Sequence, residues 1–175
     1  MRSAAVVLGV GNILLRDDGV GVHVVEALER LVALDPTALP RGTRLLDGGT
    51  LGPELLEAVS GSRCLLLVDG VDVGADPGEV VVLRGDALAT MGARHPEAGE
   101  GGVGELLALA HLMGWVTGPV ALVGVQVAEI GFDTGLSPDV ERAVPVAVET
   151  ARSGLAQLDE EAAARHSSGV SGAKA

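Results

Sequence analysis

The chain has no tyrosine, one phenylalanine, one tryptophan, one cysteine, and only 12 basic residues against 24 acidic ones in a length of 175. Each shortage excludes something. With so few aromatics, the core of a chain that is 47% apolar must be built from Val, Leu and Ala, and such cores suit parallel sheets buried on both faces. A single cysteine, Cys64, excludes an intrachain disulfide framework. It precedes an apolar run and reads as a buried strand residue. The formal charge of −12 repels phosphate backbones and anionic membrane surfaces, so no nucleic acid and no membrane is expected as a partner. The same charge suits metal cations or a basic protein segment, and equally suits solubility alone. No run is long and apolar enough to span a bilayer. The apolar start after Met1-Arg2 has no small-residue cleavage site behind it, so a core strand and a cytoplasmic protein are expected.

What is present is an alternation of strand and helix patterns. Residues 4–10 are apolar throughout and read as a first strand. A helix follows to about Leu34, with Val20, Val24, Leu28 and Leu31 on one stripe, and Asp17 or Asp18 is placed to cap it. Short strands are expected at 43–47 and 79–84, the most hydrophobic and most central one at 63–69, and another at 120–127. Helices are expected at 53–59, 86–92 and 104–113, with a glycine-rich acidic loop at 93–102. Ser137-Pro138-Asp139 is a helix start, with a capping Ser, Pro in the first turn and an acid favoured by the dipole. That helix is expected to reach Leu158, leaving 159–175 as a disordered tail behind a single domain at 1–158. The pattern predicts an α/β fold: a single-domain three-layer sandwich, with a mostly parallel twisted sheet of about five strands and helices on both faces. The strand before the acidic loop is a candidate antiparallel edge.

The chemistry gathers at strand ends. Asp18 follows the first strand and Asp69 ends the third, so a parallel sheet brings both to its carboxyl edge, where such folds keep their ligands. Two carboxylates there, joined by an imidazole, suit Ni, Zn, Mn or Fe. The bland readings are helix capping for Asp17 or Asp18 and a turn residue for Asp69. Gly9-Val10-Gly11 begins like a dinucleotide fingerprint, but position 14 is Leu rather than glycine and two acids stand where a pyrophosphate needs bare amides. Neither a phosphate loop nor a Gly-x-Ser-x-Gly elbow is present. Of four histidines, His23 and His111 fall within helical patterns and His166 in the tail. His95 lies in the acidic loop with Glu97 and Glu100, and loops over strand ends supply ligands.

Taken together, these segments resemble the hydrogenase maturation proteases, endopeptidases that trim the C-terminal extension of the [NiFe]-hydrogenase large subunit once nickel is inserted. The resemblance is carried by the run from Gly9-Val10-Gly11-Asn12 through Arg16-Asp17-Asp18-Gly19-Val20-Gly21, then by Asp47-Gly48-Gly49-Thr50, Val68-Asp69, Pro77-Gly78, Gly124-Val125-Gln126 and Gly135-Leu136-Ser137-Pro138. It covers residues 6–158 and implies three metal-binding positions. Asp18 matches the first and Asp69 the second, and both are the implied catalytic residues. The third is a histidine in the family; an ungapped count back from Leu106 and Leu107 lands near Gly99, where this chain has none. His95 reaches that place if residues 96–99 extend the loop; Glu100 is the alternative ligand, and a weakened metal affinity is a third outcome. The family's proline after Gln126 is also replaced, by Val127. The resemblance implies that nickel is recognised in the substrate rather than stably held. It also implies that the partner is the large-subunit precursor. A non-cleaving chaperone or adaptor for that precursor, a relative that processes another peptide, and a nucleotide-binding α/β protein are the competing functions.

Overall fold

A computed structural model describes residues 4–50, 53–92 and 113–170. Five strands form one sheet: β1 (Ala5–Gly9), β2 (Arg44–Asp47), β3 (Cys64–Val71), β4 (Val80–Arg84) and β5 (Val120–Gln126), in the order β2-β1-β3-β5-β4. All pairings are parallel except β4 with β5, so the strand before the acidic loop is the antiparallel edge. The described helices are α1 (Val20–Leu34), α2 (Pro53–Val59), α3 (Gly85–Gly92) and α4 (Pro138–Val170), with a 3-10 turn at Arg16–Gly19 leading into α1.

Alternation along the strands sorts the core into two halves. Val7, Leu66, Val68, Val123 and Val125 face α1 and α4, packing on Val24, Leu28, Ala147 and Leu155. Val6, Leu8, Leu65, Leu67 and Leu122 face the other way, toward Leu55 and Val59 of α2, Leu88 of α3 and the chain's one tryptophan, Trp115. The result is the expected three-layer sandwich. Because β1, β3 and β5 are covered on both faces, they are almost wholly aliphatic, and Cys64 is buried among them with its thiol pushed up to about 11 by desolvation.

Two boundaries that matter here differ from the sequence expectation. Asp69 does not end β3, which runs on to Val71 because Asp69, Gly70 and Val71 still pair with Gly124, Val125 and Gln126 of β5. The last helix does not stop at Leu158 but continues to Val170. Its extension is held from the side: Arg63 pairs with Asp159, Arg84 pairs with Glu161, and Ala162 packs against the core. These partners lie some eighty residues or more away in sequence, so a window of small and charged residues gave no sign of them. The expected helix at 104–113 and the acidic loop fall on or next to residues outside the described ones.

The layer arrangement decides where a ligand can sit. From β1 the chain passes through α1 to β2 on one side, whereas β3 returns to the other side of β1, with β5 and β4 beyond it. The order therefore reverses between β1 and β3, and the crevice beyond their carboxyl ends is the natural site of an open α/β sheet.

Candidate active site

The crevice is built by a helix that begins unusually close to the sheet. A side chain at Gly21 would place its Cβ 2.2 Å from the Val68 carbonyl oxygen and 2.3 Å from that of Val10, so only glycine lets the first turn of α1 rest on β1 and β3. Gly11 has a φ of 127°, and a Cβ there would lie 1.7 Å from the carbonyl oxygen of Asp18. The glycines thus fold residues 11–18 into a tight turn that brings Asp18 back over the end of β1. The Asn12 N–H donates to Asp18 Oδ2 at 2.8 Å and fixes one side of that carboxylate. The Asp47-Gly48-Gly49 segment is laced to the same turn: the Gly48 N–H donates to the Gly9 carbonyl at 2.7 Å, and the Gly11 N–H donates to that of Gly49 at 2.9 Å.

Asp69 arrives from β3. Gly9 pairs in register with Val68, so Asp69 stands just past the end of β1, beside the turn that carries Asp18. Burial pushes its carboxyl well above the usual range, the negative charge of Asp18 pushes it further, and a hydrogen bond from the Gly70 amide offsets part of the rise. Both residues keep some exposure to solvent. Two carboxylates that repel one another at an accessible site can share a proton or take a cation between them.

Asp17 has a different task. It is fully buried, and neither it nor Asp18 caps α1, whose N-terminal position is Gly19 without a side-chain bond. The capping expected of one of them is therefore corrected. Asp17 instead reaches across the molecule. Its Oδ2 accepts from the N–H groups of Ala128 (2.9 Å) and Glu129 (2.8 Å) and from the Ser137 hydroxyl (2.8 Å), and its Oδ1 accepts from the Ser137 N–H at 2.7 Å. Burial alone would raise its carboxyl, but these four bonds outweigh it and hold the pKa below the ordinary value. The loop after β5 and the start of α4 are thereby locked to the turn that presents Asp18. Gln126, buried at the end of β5, accepts from the Val73 and Ala75 amides and donates to Asp72, pinning the turn beyond Asp69.

Comparisons with known proteins place the chain in a family and match its fold. A sequence model of the hydrogenase maturation proteases matches residues 22–153. The chain belongs to the hydrogenase maturation protease family. Among its relatives is the hydrogenase 2 maturation protease of Escherichia coli, 32% identical over 160 residues that span 91% of this chain and 94% of that one. Another is the hydrogenase expression/formation protein HupD of Rhodobacter capsulatus, 37% identical over 83% of this chain and 68% of its own. The solved structure of the E. coli hydrogenase maturating endopeptidase HybD superposes with a TM-score of 0.76 at 31% identity, covering 88% of this chain and 93% of that one. Membership makes the chain a hydrolase of the endopeptidase kind. As a maturation protease it keeps Asp69 inside the matched region, while Asp18 lies four residues ahead of it.

The structure thus brings Asp18 and Asp69 to one sheet edge, near enough for the charge of one to act on the other. His95 and Glu100, the two candidates for a third position, lie outside the described residues. Among the described residues there is no group of three or more His, Cys, Asp or Glu side chains able to hold a metal ion. Sequence reasoning missed the long-range anchoring by Asp17 and by Gln126. Both residues fall in motifs, but their partners are too far along the chain for spacing to reveal.

Proposed function

We propose that this chain is a nickel-dependent endopeptidase that removes the C-terminal extension of a [NiFe]-hydrogenase large-subunit precursor after nickel insertion, in the cytoplasm. The observation that carries the proposal is the pair of carboxylates, Asp18 and Asp69, set together at the point where strand order reverses in a member of this protease family.

In this reading nickel belongs to the substrate. Asp18 and Asp69 are the groups that meet it, and a cation relieves the repulsion between them, so an unloaded precursor lacks that docking interaction. His95, or Glu100 in its place, completes the set. Bound nickel supplies Lewis-acid polarisation of the scissile carbonyl. A carboxylate of the pair takes a proton from the attacking water; the resulting hydroxide adds to the carbonyl carbon, the C–N bond breaks, and the proton passes to the leaving amine.

The test is the intact mass of the host's hydrogenase large subunit with this protein deleted and then restored. The proposal expects a retained tail in the deletion, loss of the tail on restoration with the wild-type chain, and retention with Asp69→Asn. A trimmed tail in the deletion strain would assign the cut to another enzyme and leave an adaptor role.

A further inference from the structure

Four large apolar side chains stand exposed beside the carboxylates. Ile13 is 47% and Leu14 57% exposed on the turn after β1; Ile130 is 62% and Phe132 97% exposed on the loop after β5. The two loops are not independent. The Asp133 N–H donates to the Leu14 carbonyl at 3.2 Å, the Arg16 N–H donates to the Asp133 carbonyl at 3.1 Å, and the Asp17 N–H donates to the Glu129 carbonyl at 3.3 Å. Arg16 also pairs with Glu129 and lies near Asp133, and Asp17 grips the base of the same loop. The four side chains are therefore displayed on one braced ribbon, although the chain's single phenylalanine could have been placed in the core.

Exposed apolar residues clustered on a rigid support mark an interaction surface. We propose that Ile13, Leu14, Ile130 and Phe132 form the docking surface for an extended, apolar and non-acidic segment of the precursor next to the bond that is cut. The inference rests on the protease reading above and names the part of the substrate that the site grips. Continuity selects this occupant: Ile13 directly follows Asn12, whose amide holds Asp18, so a peptide seated on the ribbon is delivered to the carboxylates. Charge selects its chemistry. Two acids border the patch, Glu129 and Asp133, and Arg16 alone stands between them, so the apolar surface keeps a residual negative rim on a molecule of net charge −12, and that field opposes an acidic segment. A strip formed by two loops is narrow and fits an extended segment better than a domain face.

The experiment uses the purified full chain and the nickel-loaded large-subunit precursor of the same host. Tail removal is followed by intact mass over a range of precursor concentrations, and precursor binding is measured in parallel for each form of the chain. The variant is Ile130→Ser with Phe132→Ser, both exposed enough to leave the thermal midpoint unchanged; Phe132→Ser alone serves if the pair disturbs folding. The expected result is a KM raised roughly tenfold or more with kcat little changed, as loss of apolar anchors produces. If the wild type cleaves and the variant shows the same KM, the docking surface is overturned while the protease reading stands. If the wild type binds the precursor without cleaving it, the protease reading fails. Weakened binding by the variant then still supports the surface, and equal binding overturns it. A wild type that binds no precursor overturns it as well. So does a wild-type dimer that the variant dissociates without change in KM, since the patch would then face a second copy of the chain.

Discussion

At Asp69 the requirements of stability and of the proposed function point in opposite directions. The side chain is held in protein surroundings beside another carboxylate, and both circumstances disfavour its charge. Asp69→Asn keeps the shape and removes the charge. It should raise unfolding stability near neutral pH by roughly 0.5–2 kcal/mol while abolishing tail removal, a combination that calorimetry and intact mass measure together. Asp17 is the reverse case. Asp17→Ala strands the Ala128, Glu129 and Ser137 amides and the Ser137 hydroxyl without an acceptor, and should cost about 3 kcal/mol or more. Chemical denaturation reads that loss, and an unchanged midpoint would remove Asp17 from its anchoring role. Gly11→Ala forces a side chain against the Asp18 carbonyl in a backbone region that disfavours it, so it should displace Asp18. Its expected signature is a fall in kcat/KM larger than the loss of thermal stability accounts for.

At the scale of elements, the helices divide the work between two ends of the sheet. The start of α1 and the start of α4 meet at the carboxyl edge, joined by Asp17 and Ser137, and they position the site. The far end of α4 lies toward the opposite edge, where Arg63 precedes β3 and pairs with Asp159. Both ion pairs of that extension are partly exposed, and such pairs contribute little individually. Ending the chain after Leu158 should therefore lower the melting temperature by only about 2–8 °C and leave tail removal unchanged. A truncated chain that is folded by calorimetry yet inactive would show that the extension reaches the site.

The whole molecule combines two carboxylates whose linkage to folding has opposite sign. Asp17 has a folded pKa below its unfolded one, near 3.9, so its contribution is fully present above that value and is lost as pH falls through the folded pKa. Asp69 has a folded pKa above its unfolded one, so its contribution is present below about 3.9 and is lost as pH rises through the folded value. Thermal midpoints between about pH 3 and about pH 8 should accordingly fall on both sides of a mildly acidic maximum. Asp17→Asn should flatten the acid limb and Asp69→Asn the neutral limb.

Much of this was legible in the order of residues, and for local reasons. Aliphatic runs under a composition nearly free of aromatics determine buried parallel strands, as at 65–68 and 121–123. A strand followed by glycines, acids and an apolar stripe determines a strand–turn–helix unit around Asp18, and a parallel neighbour to that strand at 63–69 brings Asp69 to the same edge. What the tertiary structure alone decided depends on partners far apart in the chain. Asp17 reads as a cap until Ser137, 120 residues away, is seen to be its partner. The helix beyond Leu158 reads as a tail until Arg63 and Arg84 are seen beside it. Ile13 and Phe132 read as ordinary apolar residues until folding leaves them outside. Periodicity and turn chemistry act within a few residues, whereas a hydrogen bond or an exposed patch is created only when distant segments are brought together.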